Sequence, residues 1–128
     1  MTSGISDADE RHIILANDVE SLVDLTRYAQ KSNRFTQPPD TMYLGGVNRE
    51  MQLWGADAAR DFIETNWRDV ISYLLEVGAA RDTRAVILMP IMGYRALKEI
   101  QAFVHKALPG CKVSVPGPMM TIDWADLI

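Results

Sequence analysis

The stretch Arg84-Ala-Val-Ile-Leu-Met-Pro90 is an apolar run that ends at a proline. A run with no polar position after its first residue is typical of a strand in the middle of a sheet, covered on both faces. A helical pattern follows over 93–107, and Cys111-Lys-Val-Ser-Val115 then has the character of a second strand. The order strand, helix, strand predicts a β-α-β unit over 84–115.

Two interpretations of residues 7–31 are open. Ser6-Asp-Ala-Asp9 resembles a capping box, and apolar residues recur at spacings of three and four up to Ala29. This pattern favours one helix from about Asp7 to Lys31. The alternative is a short strand, His12-Ile-Ile-Leu-Ala16, followed by a shorter helix that begins at Asn17.

The remaining elements are predicted from shorter patterns. Residues 41–45 and 50–54 predict the two strands of a hairpin. The clearest helical stripe extends from Ala56 to Val77, and Gly78 is expected to end that helix as a left-handed cap. Met119 to Trp124 predicts a last strand, with Met120, Ile122 and Trp124 on one side.

Together these elements predict an α/β fold, with α+β as the alternative. We expect a single domain over residues 1–128, in which a mixed sheet carries about three helices. A chain of 128 residues can bury roughly two-thirds of its unfolded surface. The apolar share of 48% and charged share of 23% are typical of ordered globular domains.

The single cysteine, Cys111, cannot form an internal disulfide, so we expect it to be a small buried residue. No apolar segment reaches the length of a membrane span. These two features predict a cytoplasmic protein without a membrane partner.

Sequence signatures of catalysis are missing. Two histidines and one cysteine cannot build a common structural zinc site. The glycine pair in Leu44-Gly-Gly-Val47 lacks the downstream Lys-Ser/Thr of a phosphate loop, and no Gly-x-Ser-x-Gly occurs. We therefore predict no catalytic residues, no metal and no cofactor, and an enzyme is not favoured.

The junction at Gly93, Tyr94 and Arg95 is the candidate ligand site. Backbone N–H groups at a helix start attract anions, and Arg95 could bind a carboxylate or phosphate. The segment Pro116-Gly117-Pro118 would face the same crevice if the strand from Cys111 runs parallel beside the first. The alternative is a plain turn that needs Gly93 for its geometry, followed by a solvent-exposed arginine.

Charge is segregated in the first third of the chain. Asp7, Asp9 and Glu10 belong to an acidic stretch, and Arg27, Lys31 and Arg34 would form a basic stripe at spacings of four and three. Each set is a candidate partner-binding surface. The alternative is a solvated acidic face, with basic residues that complement the helix dipole.

These features favour a small non-enzymatic interaction module, an adaptor or inhibitor that binds a larger protein or nucleoprotein. The alternative is a protein or enzyme that binds an anionic small ligand, such as phosphate or a nucleotide, at 90–95. A homodimer is a further alternative. The net charge of −4 argues against direct nucleic-acid binding, which requires clustered cations.

Overall fold

The computed structural model describes residues 7–32, 37–44 and 57–128, with side chains in the first range described from Asp18 onward. Its elements are, in chain order, α1 (Asp7–Lys31), β1 (Met42–Tyr43), α2 (Ala58–Ala79), β2 (Arg84–Leu88), α3 (Tyr94–Ala107), β3 (Lys112–Ser114) and β4 (Met119–Asp123). A 3-10 turn at Ala125–Leu127 follows β4. The predicted α/β fold with a mixed sheet is confirmed.

The four described strands form one sheet in the order β1-β2-β4-β3. β1 runs parallel to β2, with Met42 opposite Ile87. β4 runs antiparallel to both β2 and β3. The strand formed by the apolar run therefore lies inside the sheet, as predicted.

β3 is parallel to β2 but does not lie beside it. Asp123 of β4 is opposite Arg84 on one side and Lys112 on the other, so β4 occupies the place between the two parallel strands. The short turn at 115–118 explains this arrangement, because a short connection suits an antiparallel pair, whereas adjacent parallel strands need a long crossover. In the sheet, β1 and β2 are the adjacent parallel strands, with α2 between them in the sequence.

The two faces of the sheet differ in burial. Ala85 and Ile87 of β2 are fully buried, whereas Val86 and Leu88 are half-buried. β4 alternates in the same way. The apolar run had predicted full cover on both faces, and this is correct for one face only. An antiparallel neighbour permits the difference, because antiparallel sheets commonly expose one face to water.

α1 is a single helix over Asp7–Lys31, so the predicted long helix is confirmed and the alternative strand at 12–16 is wrong. Within the part of this helix whose side chains are described, Leu22, Thr26 and Ala29 fall on one buried face, at the predicted spacings of four and three. The first predicted hairpin strand is present as β1, and it pairs with β2. The second, at 50–54, lies outside the described residues.

Gly78 does not end α2 as a left-handed cap. It is buried inside the helix, and the residue with positive φ just after the end of α2 is Arg81, at 73°. A Cβ at Gly78 would lie 2.6 Å from Thr26 Oγ1 and 3.1 Å from Leu22 Cδ1. The missing side chain therefore serves the close approach of α1 and α2, which sequence spacing alone did not indicate.

A buried hydrogen-bond chain joins α1 to the end of β4. The indole Nε1 of Trp124, which is fully buried, donates to Thr26 Oγ1 at 3.0 Å. The Thr26 hydroxyl in turn donates to the Leu22 carbonyl oxygen at 2.7 Å. Because a buried polar group without a partner is costly, this chain favours a single position of α1 against the core.

Candidate binding groove

A groove of about 580 Å³ opens at one end of the sheet. β2 and β3 end there and β4 begins there, since Leu88 is opposite Met119 and Ser114 is opposite Thr121. The amino end of α3 lies at the same end, because it follows β2 after a short connection. The strand and helix ends therefore position the groove walls.

One wall of the groove is a single face of α3. Tyr94, Leu97, Lys98 and Gln101 line it, and their spacings of three and four place them on one side of a helix. Gln101 Nε2 donates to the carbonyl oxygen of Val113 at 3.3 Å, which joins this helix face to β3. The helical spacing was visible in the sequence and could have indicated this wall.

The opposite wall is the turn that joins β3 to β4. It consists of Val115, Pro116, Gly117 and Pro118. The condition on which this segment was expected to face the 90–95 junction fails, because β3 does not lie beside β2. The segment nevertheless lines the same groove as Ile91, Met92 and Tyr94. The turn reaches the groove because β3 ends at the same end of the sheet as β2.

Two large apolar side chains of the groove lining are exposed to solvent. Ile91 is 75% exposed and Tyr94 is 74% exposed. The neighbouring Met92 and Ala96 are buried and attach the same segment to the core. The groove thus joins residues of the core to apolar side chains that remain in water.

Lys98 is the one charged side chain among the described residues that line the groove. Its Nζ lies 5.4 Å from the centroid of the Tyr94 ring, within the range of a cation–π contact. Among the described side chains it has no carboxylate within 4.0 Å. The groove therefore has a net positive charge on an otherwise largely apolar lining.

The other two predicted ligand residues do not line the groove. The Arg95 side chain is 93% exposed, and its Nε lies 4.0 Å from Glu99 Oε1. Gly93 caps α3 through its carbonyl oxygen, with φ −61° and ψ 150°, a conformation open to any residue. The expectation that the junction needs glycine for its geometry is therefore wrong.

The predicted partner-binding residues on α1 are only partly described. Asp7, Asp9 and Glu10 are in α1, but their side chains lie outside the described part, as does Arg34. Arg27 and Lys31 are both exposed. The Arg27 guanidinium donates through Nη2 to the Leu127 carbonyl oxygen at 3.0 Å, so it contacts the C-terminal turn.

Cys111 lies at the opposite end of the sheet from the groove and is buried. Burial, and secondarily the charge of Asp123, raise the pKa of its thiol to about 11. Asp123 itself accepts a hydrogen bond from the Ala125 backbone N–H at 2.8 Å. Cys111 is thus buried, as the sequence predicted, and the raised pKa keeps its thiol protonated at neutral pH.

Among the described side chains, those of residues 18–32, 37–44 and 57–128, no three His, Cys, Asp or Glu residues gather in a way that could hold a metal ion. The helices in these ranges are too short or too polar to span a membrane. No protein-family model, curated protein or solved structure matches the chain. The geometry of the groove is therefore the basis for a functional proposal.

Proposed function

We propose that this chain is a small non-enzymatic interaction module, an adaptor or inhibitor that binds a larger protein or nucleoprotein through the groove. The observation that carries the proposal is the exposure of Ile91 and Tyr94 beside it. Burying a large apolar side chain contributes about 1.5–3 kcal/mol, so a partner that covers both would gain a substantial part of its affinity there.

The architecture of the groove supports recognition of a macromolecule. Aromatic residues are enriched at binding hot spots, and Tyr94 presents both a ring face and a hydroxyl. Ile91 and Tyr94 project from a segment whose buried residues belong to the core, so ordering of the backbone on binding costs little. This surface can therefore contact a partner without a large rearrangement.

The anionic-ligand hypothesis is the second candidate for the same groove. Lys98 favours it, because an ammonium group can bind a phosphate or carboxylate. The position of Arg95 lends it no support, since that guanidinium lies beside Glu99 and outside the groove. Inorganic phosphate should raise the melting temperature if this hypothesis is correct, and Lys98→Gln should remove the rise.

Capture of partners from a lysate of the native host tests the interaction role. The variant Ile91→Ala with Tyr94→Ala should lose more than about 90% of the captured partner, since each hot spot is worth about 2 kcal/mol. Its stability should change by less than about 1 kcal/mol, because both side chains are exposed.

Tyr28→Ala is the matched control. Tyr28 is also 74% exposed, but it lies on α1, between Arg27 and Lys31. Retained capture by this control, together with loss in the groove variant, assigns the contact to the groove. Loss of capture with Tyr28→Ala alone would instead favour a contact at the basic end of α1. Unchanged capture by both variants would contradict the groove proposal.

A further inference from the structure

We infer that the groove accepts an amphipathic helix whose apolar side carries an acidic residue opposite Lys98. This inference rests on the proposed interaction role and adds the chemistry of the partner segment. Three observations carry it: the largely apolar walls, the hydrogen bond that the Val113 carbonyl oxygen of β3 already accepts, and the charge of Lys98, which has no described carboxylate within 4.0 Å.

Addition of an extended strand is disfavoured at this surface. Pro116 and Pro118 have no backbone N–H, so their wall offers few donors to a β-ladder. On the neighbouring edge strand, the Val113 carbonyl oxygen already accepts from Gln101. An occupant must therefore bind mainly through side chains.

A helix satisfies this requirement, because its backbone hydrogen bonds are made within the segment. Helices that bind in apolar grooves insert residues at spacings of three, four and seven. The groove has two walls, the face of α3 that includes Tyr94 and Leu97 and the turn from Val115 to Pro118. Such a row of side chains can pack between them.

Charge complementarity sets the remaining feature of the occupant. Lys98 is the cation of the described lining, and the nearby carboxylate of Glu99 lies beside Arg95 instead. An acid on the incoming helix would pair with Lys98 at the groove wall. Such a pair contributes more to orientation and selectivity than to total affinity.

The test is a selection of displayed peptides against the full-length chain. One library contains helical peptides of about 15 residues, a length at which isolated helices begin to form in water, with random residues along one face. A second library contains random peptides that include proline and favour extended conformations. We expect enrichment from the helical library, with Asp or Glu at a constant spacing from apolar anchors.

Charge reversal tests the role of Lys98. Lys98→Glu should weaken an enriched acidic peptide about fivefold, the upper range for an exposed ion pair, and a lysine in place of the peptide acid should restore binding. Lys98→Gln should weaken binding without creating a preference for the lysine peptide. Lys106→Glu is the matched control on α3, because Lys106 is exposed and does not line the groove.

Peptides that need Ile91 and Tyr94 but show no acid preference, or that come from the extended library, would overturn this inference and leave the interaction role intact. Enrichment that is independent of Ile91 and Tyr94, or no enrichment at all, would also overturn it. Lysate capture that stays unchanged in the Ile91→Ala with Tyr94→Ala variant is the separate result that would count against the proposed function.

Discussion

Replacing Gly78 with alanine would test how closely α1 and α2 approach each other. The added Cβ would lie 2.6 Å from Thr26 Oγ1, closer than such atoms are normally found. Thr26 is fully buried, and its hydroxyl is held by hydrogen bonds to the Leu22 carbonyl and from the Trp124 indole. Relief of the contact therefore requires either movement of the helices or rotation of this hydroxyl.

The expected change combines two opposing effects. Alanine is favoured over glycine inside a helix by about 1 kcal/mol. Overpacking of a core contact costs about 1–3 kcal/mol, and rotation of Thr26 would leave the Trp124 N–H without its acceptor at a similar cost. We expect Gly78→Ala to lower the free energy of unfolding by about 1–2 kcal/mol, or roughly 3–8 °C in melting temperature.

Urea unfolding followed by circular dichroism measures this change. Gly117→Ala is the control, because a Cβ there would have no neighbour within 4 Å. A double-mutant cycle with Thr26→Ala sharpens the test: with the hydroxyl gone, Gly78→Ala should cost at least about 0.5 kcal/mol less. Equal or higher stability of Gly78→Ala, with no coupling to Thr26, would refute the close-approach explanation.

Three further predictions concern the core. Trp124→Phe should lower the free energy of unfolding by about 2 kcal/mol or more, because it removes the bond to Thr26 and part of a buried side chain; urea unfolding measures this. Cys111 should react slowly with a thiol reagent at pH 8 in the native protein and rapidly in guanidinium. Because the folded pKa of its thiol is raised from 9.0 to about 11, the stabilisation of the protonated form is fully present below pH 9 and is lost as the pH rises through 11. Cys111→Ala should remove that part of the decline in unfolding free energy with pH.

Clear results would contradict these predictions. A Trp124→Phe variant as stable as the parent would show that the buried hydrogen bond and the lost indole volume contribute little. Rapid native labelling of Cys111 at a rate close to the unfolded rate would mean that the thiol is accessible. Identical pH profiles for the parent and Cys111→Ala would indicate that ionisation of this thiol is not linked to unfolding.

Local patterns in the sequence were sufficient for the main elements. The spacing of three and four residues from Ala8 to Ala29 favoured a single α1 over a strand followed by a shorter helix, because every third or fourth side chain shares one helix face. The alternation in Met119 to Trp124 placed Met120, Ile122 and Trp124 on one side of a strand, and the structure buries all three. The uninterrupted apolar run at 84–90 predicted the central strand, which the structure has at Arg84–Leu88, and the lack of a second cysteine favoured a buried Cys111.

Contacts between distant parts of the chain decided the rest. The place of β4 between β2 and β3, the packing of Gly78 on Thr26, and the joining of Lys98 and Pro118 in one groove all depend on which elements become neighbours. Periodicity assigns a residue to a face of its own element, but it carries no information about the element opposite that face. Glycine shows this limit most clearly, because the same missing side chain suits a left-handed turn or a close helix crossing, and only the surrounding atoms distinguish them.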